Sequence, residues 1–427
     1  MKRFGRRTGN ILIMSNTIAI IGGGASGMIA AYTAIKAGVK VILLEKNEKL
    51  GKKLYITGKG RCNITNDCEI NTFLENVPRN AKFLFSALNY LSPSALRNLL
   101  ETLNCPTKLE RGRRVYPVSD KASDVTRAIE RAIESAEIRL NSKVSELDIV
   151  NNNVKGLRLA DGEYLPCKAI VVATGGLSYP VTGSTGDGYM FAKQAGLEVT
   201  STSPALVPIN LSDDWVKELS GLTLKNVLLT ASIDGKEVFS KQGELLFTHF
   251  GISGPIAISL SSHITGIEAA KIDINLNMKP ALDTQTLMNR LKRECEESGS
   301  TQLNTLMRSY VPKNMVDIVL DISGLNAKTK LAHLGIKDRL SIVNALKNIP
   351  LHFEDLRPFN EAVITRGGIS VDEIDPSTMK AKAISGLYFA GEVLDVDAYT
   401  GGYNLQIAFS TGALAGKSAA EFVRGKE

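Results

Sequence analysis

The chain has 427 residues, which at a soft expectation of about 150 residues per domain excludes one small module and predicts roughly three domains. Its 44% hydrophobic and 22% charged residues lie in the ordinary globular range and exclude a disordered, collagenous or disulfide-built chain. The formal net charge of +7 favours polyanionic partners such as RNA through the field of the whole molecule, without naming one.

The five cysteines (Cys62, Cys68, Cys105, Cys167, Cys295) are odd in number and none forms a CxxC pair. Neither a disulfide framework nor a zinc finger is predicted, and reduced thiols in a cytoplasmic protein fit that usage. Residues 1–15 begin with the basic end of a signal peptide, but the apolar stretch 11–14 is too short for one, so they read as a ragged extension. The next apolar run, from Ile18, is broken by Gly22, Gly23, Gly24 and Gly27 and then by Lys36, so no membrane span and no membrane partner are predicted.

Residues 17–21 (TIAII) read as a buried strand, GGGASG as a tight turn, 28–37 as a helix ended by Gly38, and 39–44 (VKVILL) as a second strand. That is a βαβ unit. Helical periodicity marks 81–104 and 119–136, the second opening on Ser119 or Asp120 as N-cap, and the basic turn ERGRRVYP lies between them. Short alternating strands occupy 143–165, and 169–173 (AIVVA) is a buried strand running into Thr174-Gly175-Gly176. From about 197 to 278 the texture is β-type alternation with a hairpin signal at Ile233-Asp234-Gly235, while 281–348 is apolar at helical spacing. Residues 386–390 (GLYFA) form a buried strand. Residues 405–415 read as an apolar helix rich in small residues, which folds the C-terminus back onto the first domain.

Gly22, Gly24, Ala25, Ser26 and Gly27 fall in a GxGxxG pattern between a strand and a helix, and Glu45 closes the next strand about 20 residues later. Gly22 permits the turn, Gly24 lets a pyrophosphate approach the backbone, and Gly27 lets helix pack on strand. The helix N-terminus supplies free N–H groups and partial positive charge. Glu45 is placed to accept from the adenosine ribose hydroxyls. FAD and NAD share this fingerprint. No second GxGxxG exists, because Gly183-Ser184-Thr185-Gly186-Asp187-Gly188 has the wrong order and no strand before it.

The strand AIVVATGG resembles the ATG strand end of two-dinucleotide-binding flavoproteins, and GLYFAGEVLD with GGYNLQIAFSTGALAG resembles their C-terminal flavin segment. With GKKLYITGKGRCNITN, RRVYPVSDKASDV, GELLFTHFGISGP and AVITRGGISVDEIDPSTM, the whole chain is similar to a bacterial flavoprotein family. Its members include a bile-acid ring-double-bond reductase, an aminoacetone oxidase and a ribosomal-RNA dihydrouridine synthase. The resemblance implies FAD as cofactor, Glu392 after Gly391 holding the ribityl chain, and Gly402, Asn404, Leu405 and Gln406 facing the flavin pyrimidine from a helix N-terminus. It extends the candidate cofactor contacts to Lys46, Lys53, Gly60, Arg61, Asn63, Val144, Ala173, Thr174 and Gly175. The implied fold class is α/β: a Rossmann-like FAD-binding domain in two parts (1–196 and 366–427) with a barrel-like β-rich insert (197–280, returning in 349–365) and a small helical insertion (281–348).

Cys62 and Cys68 have five residues between them, not the CxxxxC of disulfide reductases, so a thiol–disulfide relay is not predicted. Cys62 reads either as a proton donor beside the flavin or as a small packed thiol. Arg61 and Lys59 read as phosphate or flavin contacts or as solvated charges. His249, at the end of a β-type run, is the best acid–base histidine, and a structural role suits it equally. Thr365-Arg366-Gly367-Gly368 brings backbone N–H groups toward the flavin or is a plain turn. No Ser/His/Asp triad and no metal-ligand spacing is present.

The first functional expectation is an FAD enzyme that takes hydride from NAD(P)H and reduces a C=C bond, with uridine in ribosomal RNA as the specific substrate. Basic residues in 46–61, in 111–114 and at Arg290, Lys292, Arg293, Lys328 and Lys330 are the expected phosphate contacts. The second is a small-molecule ene-reductase or amine oxidase. The third is an FAD-stabilised ribosome-binding protein without turnover. The oligomeric state stays open.

Overall fold

The computed structural model describes residues 16–426, so the basic extension 1–15 lies outside the described residues. They form two compact units: one from residues up to Pro204 with those from Val363 onward, the other from Ala205 to Ala362. Among the described residues no helix is long and apolar enough to cross a membrane.

The first unit is built on a five-stranded sheet: β1 (Thr17–Ile21), β2 (Lys40–Leu44), β3 (Glu137–Arg139), β4 (Ala169–Val172) and β5 (Leu387–Phe389), in the order β5-β4-β1-β2-β3. Every pairing is parallel, with Ile18 opposite both Val41 and Ala169. Parallel strands covered on both faces must be apolar throughout, and all residues of β1, β4 and β5 are buried. Helix α1 (Ala25–Lys36) and the long α2 (Tyr403–Val423) pack on this sheet and on each other. Two glycines permit that approach: a Cβ on Gly412 would lie 2.3 Å from the Ser26 carbonyl oxygen, and one on Gly416 2.2 Å from that of Ala30. The helix rich in small residues is thus a close-packing surface. β5 and α2 complete a sheet begun some 370 residues earlier, as the sequence implied.

Two predicted helices changed on folding. The segment 81–104 breaks at Ser92-Pro93, where Ser92 Oγ accepts from Ala95 N–H and Pro93 opens the helix Pro93–Thr102. The helix expected to open on Ser119 or Asp120 instead runs Ala122–Ala132 with Lys121 as N-cap. Asp120 sits at φ +56°, and its carboxylate is taken by Arg61 and Lys108, so it is unavailable to the helix.

The second unit carries a seven-stranded antiparallel sheet whose edge strands are Ile349–Leu351 and Phe353–Leu356. These opposite edges are joined by His352 alone, so the sheet curls until its ends meet. That is the barrel-like form expected of the β-rich segment. The hairpin between Thr223–Ile233 and Lys236–Thr248 turns through Asp234 and Gly235, both at positive φ. Helices Thr284–Glu297, Val316–Ser323 and Ile336–Lys347 share one hydrophobic cluster with the strands, including Leu276, Leu291, Val319 and Leu346.

Candidate functional site

At the carboxyl ends of β1, β2 and β4 in the first unit lies a cavity with about 1160 Å³ of empty space, its open mouth included. This is where an open parallel sheet binds ligands, because the chain leaves β1 for neighbours on opposite sides. Gly22 turns the chain at φ +103°, and a Cβ there would lie 2.5 Å from the Ala173 carbonyl oxygen. A Cβ on Gly27 would lie 1.9 Å from the Gly22 oxygen, so helix and turn approach only without side chains. At Gly24 a Cβ would meet nothing within 4 Å, although the residue lines the cavity. Open space therefore stands in front of α1, whose first turn has no side-chain cap. Ala25 and Ser26 line the same wall.

Glu45, buried at the end of β2, is held by three donors before any ribose arrives. Its Oε2 accepts from Gly23 N–H (2.8 Å), and Oε1 accepts from Asn47 N–H (2.8 Å) and Asn47 Nδ2 (2.6 Å). Lys46 pairs with Asp187 at 2.7 Å, and Asn47 Nδ2 reaches the Thr182 carbonyl at 3.1 Å. Val144, Ser142 and Lys143 line the cavity beside them.

At the other end, Lys53 Nζ pairs with Glu392 Oε2 at 2.5 Å, and Glu392 Oε1 accepts from Thr365 N–H (3.0 Å) and from Ser178 Oγ. Glu392 is thereby aimed at the cavity it lines. Ala173, Thr174 and Gly175 form the floor, where the buried Thr174 hydroxyl has no partner among the described residues. Asn404 and Leu405 line the wall together with Ala408, one turn further along α2. Asn404 is fixed by two bonds to the Ala398 backbone. Asn63, with its amide turned to suit its neighbours, accepts from Gly402 N–H at 3.0 Å and so braces the start of α2.

Besides Gly27, Asn63 and Gly402, which shape or brace the site without lining the cavity, four further expected cofactor contacts do not line it. Gln406 is fully buried and donates to the Leu91 carbonyl and to Ser410 Oγ, both at 2.8 Å. It lies off the cavity face because residues 404, 405 and 408 share one side of the helix and 406 and 410 another. Gly391 supports the site through its N–H bond to Thr411 Oγ1 (2.9 Å). Gly60 accepts from Ala122 N–H through its backbone. Arg61 is engaged by Glu110 (2.5 Å) and Asp120 (2.6 Å) and lies over the Tyr116 ring, none of which lines the cavity.

The two acid–base candidates belong to different units. Cys62 is fully buried at φ +63° in the first and does not line the cavity, and burial pushes its thiol far above the ordinary range. His249 is exposed in the second, its ring edge-on to Phe250 at 5.0 Å. The basic residues of helix Thr284–Glu297 are compensated: Arg290 pairs with Glu294 (3.0 Å), Lys292 with Glu296 (3.9 Å) and Arg293 with Glu297 (4.0 Å).

Reading the sequence missed Asn47, Ser184, Asp187, Phe191, Val363 and Ile364, all of which line the cavity. The glycine-rich run 183–188, rejected as a nucleotide fingerprint, is one wall of the same site. Its signal was present: Gly183 and Gly186 sit at φ +104° and +84°, where side chains are disfavoured.

An uncapped helix N-terminus with open space before it, a buried carboxylate at the end of β2 and a floor hydroxyl without a partner among the described residues fit a bound dinucleotide. The fold and this cavity define a Rossmann-type flavoprotein. The chain belongs to the HI0933-like protein Rossmann domain family, whose profile matches residues 16–418, and it is an FAD-dependent oxidoreductase. It is 29% identical over 413 residues to the 3-dehydro-bile acid delta(4,6)-reductase of Clostridium scindens, covering 95% of this chain and 99% of that one. It is 30% identical over 402 residues to the ribosomal RNA dihydrouridine synthase of Haemophilus influenzae, covering 92% and 95%. Among solved structures, the 3-ketosteroid delta1-dehydrogenase of Sterolibacterium denitrificans aligns with a TM-score of 0.53 at 13% identity, covering 95% of this chain and 100% of that one, a likeness of fold.

Proposed function

We propose that the protein reduces a carbon–carbon double bond conjugated to a carbonyl, with NAD(P)H as electron donor and uridine in ribosomal RNA as substrate. One observation carries the reaction type. Relatives that match more than nine tenths of this chain are named for a bile-acid double-bond reductase and a dihydrouridine synthase. A 3-oxo steroid with a delta-4 bond and the uracil ring both present C=C next to C=O. In each, hydride adds to the carbon distal to the carbonyl and a proton to the proximal one. The sum is NAD(P)H plus H⁺ consumed and NAD(P)⁺ plus a saturated C–C bond formed. The net charge of +7 supports the RNA over a steroid-like substrate.

FAD, when bound, supplies the two-electron chemistry that links donor and substrate. The chain's own residues hold it in place. The first turn of α1 and Gly24 receive the pyrophosphate, and Glu45, already oriented by Gly23 and Asn47, receives the ribose hydroxyls. The Lys53–Glu392 pair keeps a carboxylate at the ribityl position, and Leu405 and Ala408 exclude water from the wall. The start of α2 would offer its partial positive charge to the flavin.

The test is nucleoside mass spectrometry of ribosomal RNA from cells with and without the gene. Loss of dihydrouridine on deletion, restored by the gene, is expected. Unchanged dihydrouridine, together with turnover of a small enone by the purified protein, would replace the RNA by a small molecule.

A further inference from the structure

Five arginines of the first unit are held in ion pairs: Arg61 by Glu110 and Asp120, Arg79 by Asp395, Arg97 by Asp67, Arg127 by Asp124 and Arg139 by Glu137 and Glu163. The hairpin between strands Thr107–Glu110 and Arg114–Pro117 differs. Arg111, Arg113 and Arg114 are all exposed there, and among the described residues none of them makes an ion pair. The one acid at the turn, Glu110, is committed to Arg61. Gly112 and Arg113 stand at φ +75° and +57°, so a bulky cation occupies a left-handed position where glycine or asparagine is the usual choice.

The tip is tied to the cofactor site by a continuous set of bonds. Asn66 Nδ2 donates to the Gly112 carbonyl (3.0 Å) and to the Gly401 carbonyl (3.2 Å), and Asp67 N–H donates to the Arg113 carbonyl (2.8 Å). Gly401 and Gly402 lead directly into Asn404 and Leu405 of the cavity wall. The backbone that carries three guanidiniums, each a planar fork suited to phosphate oxygens, is therefore fixed beside the start of α2.

We propose that this arginine hairpin is the phosphate-docking element that seats a single-stranded nucleic-acid backbone beside the cofactor site, which rests on the reading of an RNA substrate above. Each contact should release a counterion, giving a slope of about −0.7 per contact in log K against log salt for a single strand.

The experiment is a salt titration of fluorescent oligouridylate binding to the FAD-loaded protein. The variant is Arg111→Gln/Arg113→Asn/Arg114→Gln, with Lys292→Gln/Arg293→Gln as control. The hairpin variant should bind with a slope shallower by about 2, so that on the order of 20-fold of the wild type's loss between 50 and 200 mM salt disappears. The control should match the wild type. Because Arg114 Nε bonds the Arg111 carbonyl, a second variant, Arg111→Gln/Arg113→Asn, leaves that bond and should give a slope shallower by about 1.4. FAD content and melting temperature verify folding. Unchanged slopes in both variants, or a wild type that does not bind the oligonucleotide, overturn the proposal. So does a raised KM for NADPH with unchanged RNA slopes, which would assign the arginines to a dinucleotide phosphate. Flattened slopes in a protein that forms no dihydrouridine would keep the docking element and reject the uridine reading. Dihydrouridine formation with unaltered slopes would do the reverse.

Discussion

Replacing Glu45 by glutamine separates two roles of one carboxylate. In the protein Glu45 accepts three hydrogen bonds, one from Gly23 and two from Asn47. The glutamine carbonyl serves the two Asn47 donors, which leaves its NH₂ facing Gly23 N–H. A buried donor without an acceptor costs about 1–3 kcal/mol. At about 2–4 °C per kcal/mol for a unit of this size, the FAD-free variant should melt roughly 2–12 °C lower. The second role is seen only with cofactor. Hydrogen bonds to a charged acceptor contribute about 1.5–3 kcal/mol, so the lost carboxylate should raise the Kd for FAD about 10- to 150-fold. The assay is flavin-fluorescence titration of apoprotein, with melting curves at zero and saturating FAD. A Kd within twofold of wild type alongside a lowered melting temperature would refute the ribose role and reduce Glu45 to a brace of the glycine turn.

Cys62→Ala should lower stability by about 1 kcal/mol and leave both flavin reduction and product formation intact, since the thiol is fully buried and off the cavity wall. Slowed product formation with normal flavin reduction, in a stopped-flow comparison, would restore it as proton donor. Asp397 is raised from 3.8 to about 6, chiefly by burial. Its native form thus binds a proton that the unfolded form has lost, a penalty absent below pH 4 that grows as pH rises to 6 and is constant above. Asp397→Asn should accordingly gain up to about 3 kcal/mol over wild type between pH 4 and 6, read by denaturant unfolding, and a pH-independent difference would count against it.

The parts of the fold written in local pattern were legible. The run TIAII with its glycine turn fixed β1 and α1, because an all-apolar strand followed by GxGxxG has few other structural uses. That the two opposite edges of the second sheet are joined at His352 follows from no local signal, although the alternation that makes such a sheet was visible. At the site, Glu45 was expected from its offset after the glycine turn and Lys53, Glu392 and Asn404 from the family resemblance, and all four line the cavity. Gln406 was expected from the same resemblance, yet helix geometry turns it toward Leu91. Arg61 was lost to the site for a different reason: Glu110 and Asp120, about 50 and 60 residues away in the chain, capture it. Such pairings depend on tertiary placement, and spacing carries no trace of them.

That same dependence decides where the net positive charge matters. Helix Thr284–Glu297 and the hairpin at 111–114 each carry three cations within a few residues. On the helix every cation faces a glutamate four residues on, so at a Debye length of about 8 Å an approaching phosphate meets a set of dipoles whose field has largely decayed. At the hairpin the nearest acid is already occupied by Arg61, and three charges remain uncompensated at one tip. Counting lysines and arginines therefore ranks the two segments equally, whereas their pairing ranks the hairpin far above the helix. A polyanion steered by the protein's field should be drawn to the tip, which Asn66 also bonds to the start of the cavity-lining helix α2.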